Sequence, residues 1–461
     1  MLCDFGSKRF TALLVSGFVL ALIYVVCYTA QLKEVSRLNS PITTIQADSH
    51  NSSQDFSPFE EVWLNLSQLQ CNKLFDGDKT YTNQYVRHKR ITLSDPDNLD
   101  MSCDGIKSRS NKETKSSPET DFPLAFSRTV FTSYLFLEHM LSVEYRPQNL
   151  YCYSIDSKSS KIFKNRIRNL AKCFSNVIVV GKEYSVYSNG KNVTRAALSC
   201  LEVLHKHRQH QWKYVFTLQN HDIPLKTNWE MVEILKLYNG ANDISVKRIM
   251  PISVNKKLNW TMASLKLYRN DTKNRDNYYN ANGTLKALYH TKSLNLVVLA
   301  RRSVQFVLEE LRLDTFIDRL EKSKYGMDEV FFSTLNTNLL DFPGGFTTEC
   351  LKKGRQINSL GRYTLWQFDG RCMSRKFRHD ICIFGVEDLR HLNSGLFQFY
   401  FNKMMTHFDY GAIFCWLENL RKNSTTHRRI NSRFYKRLPY VRYNDLISKG
   451  KVKSPNGFDC L

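Results

Sequence analysis

Apolar residues along this chain fall into three textures. From Phe10 to Ala30 they run without a charged residue, preceded by Lys8 and Arg9. At about 1.5 Å per residue such a run can cross a hydrocarbon core of roughly 30 Å. A cleaved signal peptide would have a shorter apolar region, roughly 7–15 residues, and a small-residue cleavage site, whereas Gln31-Leu32-Lys33-Glu34-Val35 follows here. The pattern predicts an uncleaved signal anchor over 10–30, with residues 1–9 as a cytoplasmic tail. Residues 31–120 are dominated by Ser, Asn, Asp, Lys and Thr and read as a stem, with 59–66 able to form a short helix. From Phe122 onward, strand-length apolar segments (150–155, 176–180, 214–218, 294–299, with 123–131 ahead of them) alternate with helical patterns (135–145, 161–171, 195–206, 231–237, 303–313). That alternation predicts an α/β body over 121–461 with a mainly parallel sheet covered on both faces, and such sheets bind ligands at the carboxyl ends of their strands.

Composition narrows the compartment more than the function. The 461 residues carry 66 Lys and Arg against 43 Asp and Glu, a formal charge of +23, and are 42% hydrophobic and 13% aromatic, so the chain is folded and basic. Nucleic acid, an anionic membrane, an acidic glycan or a phosphorylated small molecule all suit the charge, but the anchor argues against nucleic acid. Ten of the twelve cysteines follow the apolar run, which allows up to five disulfides in an oxidising lumen. None has the C-x2-C spacing of a structural zinc site. Asn51, Asn65, Asn192, Asn259, Asn270, Asn282 and Asn423 each head a glycosylation triplet on the same side of the run. The expectation is a single-pass protein with a lumenal, glycosylated body.

Three clusters could carry chemistry. Asp156-Ser157-Lys158 follows the segment 150–155, and Asn220-His221-Asp222 follows 214–218, so both stand at strand ends. Ordinary turn and capping roles fit either cluster equally well. The third is the basic segment 375–403, whose cations could converge on phosphate or simply face solvent. The chain has no G-x-G-x-x-G, P-loop, G-x-S-x-G or H-E-x-x-H.

Taken together, FPLAFS (122–127), RPQNLYCYSIDSKSS (146–160), CFSNVIVV (173–180), WKYVFTLQNHDIPLKTNWEMV (212–232), MDEVFFSTL (327–335), ICIFGVEDL (381–389), and FNKMM (401–405) with FDYGAIFCWLENL (408–420) resemble the core 2/I-branching β-1,6-N-acetylglucosaminyltransferase family, in particular its nematode-type members. The resemblance implies a Golgi type II membrane enzyme with a GT-A fold, an inverting sugar transfer from a UDP-sugar to a hydroxyl of an O-glycan or glycoprotein, and no divalent metal or other cofactor. In keeping with this, the only D-x-D triplets, 76–78 and 95–97, lie in the expected stem. The family's roles fall on Glu329 as catalytic base, Asp156 at the nucleoside, Tyr187 by the uracil, Lys403 on the diphosphate and Trp366 stacked on the acceptor sugar. The family arginine falls on His379, one residue from Arg378, and Arg378 is taken for the role. Lys247-Arg248 stand where the family has an acidic acceptor-binding residue. UDP-glucose or UDP-xylose as donor, and a catalytically silent carbohydrate-binding protein, are the alternatives.

Overall fold

The computed structural model describes residues 58–460 except 89, 110–118, 208, 281, 340 and 452–457. The apolar run 10–30 and Asn51 lie outside the described residues, and among those described no helix is long and apolar enough to cross a membrane. The expected stem contains helices α1 (Pro58–Ser67), α2 (Cys71–Asp76), α3 (Lys79–His88) and α4 (Cys103–Arg109). They bury few apolar side chains, chiefly Leu66, Leu74 and Ile106. Trp63, Phe75, Tyr81 and Tyr85, partly buried, pack against the same core, and disulfides join Cys71 to Cys415 and Cys103 to Cys173. Arg90 reaches Glu387 and Asp409, each at 2.5 Å.

Alternation of side chains across the strands decides how the central sheet is buried. β1 (Leu124–Val130), β2 (Leu150–Ile155), β3 (Val177–Val179) and β4 (Tyr214–Gln219) are parallel in the order β3-β2-β1-β4. On one face Phe126 pairs with Tyr151 and Phe216 in register and stacks between them at 5.1 and 5.6 Å. On the other, Ala125, Leu150, Cys152 and Val215 form a separate buried cluster. Between these strands run α5 (Tyr134–Glu144), α6 (Lys161–Lys172) and α7 (Val193–Lys206). Helix α6 is capped by Ser160, whose hydroxyl accepts from the Phe163 amide at 3.2 Å, and it buries Phe163, Ile167 and Leu170 at helical spacing. Cys152–Cys200 fastens α7 to the second face.

After β4 the chain makes β5 (Ile223–Pro224) and α8 (Asn228–Tyr238), which starts on a Thr227–Glu230 capping box. A long excursion through β6 (Lys247–Arg248) and β7 (Thr291–Lys292) returns as β8 (Val298–Ala300), antiparallel to β4 at the sheet edge. The expected strand 294–299 thus contracts to three residues and reverses sense. The predicted helix 303–313 is α9 (Arg301–Glu309), followed by α10 (Asp328–Asn338). β9 (Arg362–Thr364), the hairpin of β10 (Phe377–Arg378) and β11 (Ile381–Cys382), β12 (Tyr400–Asn402) and α11 (Tyr410–Asn423) follow, and the helices Ser432–Lys436 and Pro439–Ser448 add Tyr435 and Tyr440 to the core. Two further disulfides, Cys350–Cys460 and Cys372–Cys382, pair the remaining cysteines after residue 70.

Candidate active site

The carboxyl end of β2 builds the first part of the site. Asp156 is 5% exposed, and its Oδ1 accepts from the Lys158 amide at 2.9 Å while Oδ2 lies 3.1 Å from Lys158 Nζ. That ammonium also donates to the Val186 carbonyl and sits 4.3 Å from the Tyr187 ring centroid, a cation–π contact that steadies an otherwise exposed tyrosine. Tyr187 belongs to a turn closed by the Gly190 amide donating to its carbonyl at 3.0 Å. The turn docks on the segment ahead of α10, where the Gly326 amide donates to the Asn189 carbonyl at 2.7 Å. Gly190 has φ +102°, and a Cβ there would fall 2.2 Å from Asp328 Oδ1. Gly190→Ala is therefore expected to cost about 1–3 kcal/mol of stability from backbone strain alone, with a disproportionate loss of activity because the turn and the start of α10 separate. Thermal unfolding and turnover, measured side by side, check this.

Glu329 stands in the first turn of α10, with Oε2 2.7 Å from Lys292 Nζ. This ion pair leaves Oε1 as the oxygen to meet a ligand. Lys292 is fixed because β7 pairs with β6, which sets Lys292 directly opposite Lys247. The neighbouring Asp328 is pushed up to about 6, first by burial and then by the charge of Glu329. Asn295 Oδ1 accepts from Arg362 Nη1 at 2.7 Å, and Arg362 Nη2 reaches Asp222 Oδ2 at 2.5 Å.

Asp222, Arg362 and Asn402 meet because β5, β12 and β9 form one small sheet. Both Asp222 oxygens are taken: Oδ2 also accepts the Gln219 amide at 2.6 Å, and Oδ1 accepts Asn402 Nδ2 at 2.9 Å. Lys403 follows directly. Its ammonium is pushed down to about 8 by burial, then by the charges of Arg378 and Arg362, with Asp222 opposing. His221 is pushed down to about 3 by burial and then by Lys403, Arg378, His407 and Arg128, so its ring is neutral at physiological pH. Arg378, which is exposed, and Lys403, which is half-buried, thus share one electrostatic neighbourhood with Arg362 and His221. A hydrogen-bonded chain, Asn295–Arg362–Asp222–Asn402, ends on the residue before Lys403.

Trp366 is half-buried and stacks at 6.1 Å on Phe368, which is 81% exposed. It lines an open cleft of about 930 Å³ together with Lys247, Arg355 and Arg362. Lys247 feels the charges of Lys292 and Glu329, so this cleft adjoins the Glu329 carboxylate.

The structure therefore places Glu329 near the Trp366 cleft, through Lys292 and Lys247, and Arg378 near Lys403, with Asp156 and Tyr187 joined to the Glu329 side through the docked turn. Sequence reasoning missed Lys292, Asn295, Arg362 and His407; each sits on a two- or three-residue strand or a loop without periodicity, and no motif flags it. Among the glycosylation triplets, Asn65, Asn259, Asn270 and Asn282 are exposed and Asn192 and Asn423 are half-buried. Asn192 already donates from its side-chain amide to the Ser185 carbonyl at 2.8 Å.

A carboxylate beside an open cleft, with cations on the short strands that flank a parallel α/β sheet, suits a group-transfer site. The chain belongs to the Core-2/I-Branching enzyme family, whose model matches residues 124–393. It is 29% identical over 386 residues to the beta-1,3-galactosyl-O-glycosyl-glycoprotein beta-1,6-N-acetylglucosaminyltransferase of Bos taurus, covering 77% of this chain and 85% of that one. The human enzyme of the same name is 27% identical over 388 residues, with the same shares, 77% and 85%. The human N-acetyllactosaminide beta-1,6-N-acetylglucosaminyl-transferase is 28% identical over 389 residues, 82% of this chain and 86% of that one. The chain is a glycosyltransferase.

Proposed function

We propose that this enzyme has a GT-A fold and transfers N-acetylglucosamine from UDP-GlcNAc in β-1,6 linkage to a hydroxyl of an O-glycan, with inversion and without a divalent ion. The observation that carries the reading is the Glu329–Lys292 pair, set opposite Lys247 on the wall of the Trp366 cleft, with the hydrogen-bonded chain Asn295–Arg362–Asp222–Asn402 running from that wall to the residue before Lys403. Glu329 Oε1 takes the proton of the acceptor hydroxyl while that oxygen attacks the anomeric carbon. A new carbon–oxygen bond forms on one face as the bond to the diphosphate breaks on the other, and UDP leaves carrying the electron pair. Negative charge developing on the diphosphate meets half-buried Lys403 and exposed Arg378, two cations close enough to feel each other's charge. Asp156 and Tyr187 hold the nucleoside, and Trp366 offers its indole face to the acceptor sugar.

The state of Asp222 supports the metal-free scheme. At the strand end where a carboxylate would be offered to an ion, its oxygens are already bonded to Arg362, Asn402 and the Gln219 amide. Transfer from UDP-GlcNAc to a core 1 disaccharide is expected to continue in excess EDTA, and complete loss of activity that Mg²⁺ or Mn²⁺ restores would overturn the scheme. Five disulfides among the described residues suit an oxidising lumen. With the apolar run 10–30 and the exposed glycosylation triplets, they support residence as a single-pass type II protein of the Golgi membrane.

A further inference from the structure

The cleft beside Glu329 holds more positive charge than the transfer reaction uses. Lys247 and Lys292 face each other across β6 and β7, two ammonium groups in register. Glu329 takes Lys292 at 2.7 Å, and Lys247, half-buried on the cleft wall, has no ion pair among the described residues. The segment carrying Arg355 runs beside the same strand: Val246 pairs with Ile357, and the Arg248 amide reaches Gln356 Oε1 at 3.4 Å. Arg355 is exposed, lines the cleft and also has no ion pair among the described residues. Arg362 on the same wall is neutralised by Asp222, but its Nε is buried without a partner, as is Gln398 Oε1 nearby. Asp369 is the one carboxylate among the lining residues, and its Oδ2 is held by the Trp366 amide at 2.9 Å.

Two like charges held in register and partly desolvated are unfavourable unless an anion arrives between or beside them. We infer that the acceptor of this enzyme carries an anionic substituent, a carboxylate or a sulfate, on the sugar next to the hydroxyl that is glycosylated, and that Lys247 and Arg355 select it. The inference rests on the proposed reading of the Glu329 cleft as the acceptor site. Burial of Lys247 and the charge of Lys292 both lower its proton affinity while Glu329 raises it, so an incoming anion relieves an existing imbalance. Trp366 on the same wall leaves the apolar face of the sugar a place to lie while the anionic edge turns to the cations.

The test uses the full chain with UDP-GlcNAc and three acceptors: a neutral galactosyl-GalNAc disaccharide, the same disaccharide bearing a uronic acid, and the same bearing a sulfate. One or both anionic acceptors are expected to exceed the neutral one in kcat/KM by about tenfold, the effect of one charge-assisted hydrogen bond, with the preference shrinking at high salt. Lys247→Gln should lower the anionic-to-neutral ratio by about tenfold, and Lys247→Arg should preserve it. Which anionic arm responds separates carboxylate from sulfate. Equal kcat/KM for all three, or a ratio that Lys247→Gln leaves unchanged, overturns the inference while leaving the transfer reading intact. If no acceptor is glycosylated, the transfer reading fails separately, and disaccharide affinities for the UDP-loaded chain, measured by NMR, decide the inference: equal affinities overturn it.

Discussion

Glu329→Gln is expected to lower turnover about 10²–10⁴-fold, the usual contribution of a positioned general base, while leaving UDP affinity nearly unchanged. The amide is nearly isosteric, and its oxygen can still accept from Lys292 Nζ, which the carboxylate now meets at 2.7 Å. What disappears is the ability to take a proton, so kcat falls and the contacts proposed to hold UDP, at Asp156 and Lys403, do not move. The substitution also leaves Lys292 and Lys247 facing each other without the neighbouring negative charge. Glu329→Asp controls for this because it keeps the charge and shortens the reach. Loss in both variants identifies a base whose position matters, and loss in the Gln variant alone would point to charge rather than geometry. Steady-state kinetics with saturating donor and acceptor, together with calorimetric titration of UDP, separate the two effects. A Gln variant with full turnover would remove Glu329 from the role.

The sheet was legible because its strands are apolar on both faces, so four parallel segments stand out against amphipathic helices such as α6. The β8 edge was not, since apolar content says nothing about strand direction; the loop excursion before it reverses its sense. The order in residues 58–109 was hidden for a different reason. A segment fastened by Cys71–Cys415, Cys103–Cys173 and the Arg90 ion pairs needs few apolar anchors, so its composition resembles a linker. In the candidate site, Glu329, Asp156 and Lys403 are singled out only through a family resemblance, since alone Glu329 reads as helix-end chemistry, Asp156 as turn chemistry and Lys403 as part of a solvated charge run. The partners that orient them could not be found that way. Arg362 matters only because β9 lies beside β12 and so brings its guanidinium to Asp222, a juxtaposition of positions 140 residues apart in the chain. Lys292 matters only because a two-residue strand pairs with β6.

Lys403→Ala is expected to weaken UDP binding by about 1.5–3 kcal/mol, the range for hydrogen bonds to charged groups, or roughly ten- to hundredfold in Kd. Turnover should fall further, by about 10²–10³-fold, because negative charge on the diphosphate grows as the sugar departs. Burial and neighbouring charge make a sharper pH prediction. In the free protein Lys403 is pushed down to about 8 by burial and by Arg378 and Arg362, so it is a cation below that pH and neutral above it. A bound diphosphate favours the cation and raises its proton affinity again. Binding above pH 8 must then take up a proton, and affinity should fall as pH rises, approaching about tenfold per pH unit. Below about pH 7.5 Lys403 is already charged and affinity should be flat. The nucleotide adds little trend of its own between pH 7.5 and about 9, since its last phosphate ionisation lies near pH 6 and its uracil ring ionises only above that window. Neighbouring His221, held near 3, stays neutral throughout. UDP titrations across that window should show the decline in the native protein and a flat profile in Lys403→Ala. A native profile that is flat, or one that the substitution leaves sloping, would take Lys403 away from the diphosphate.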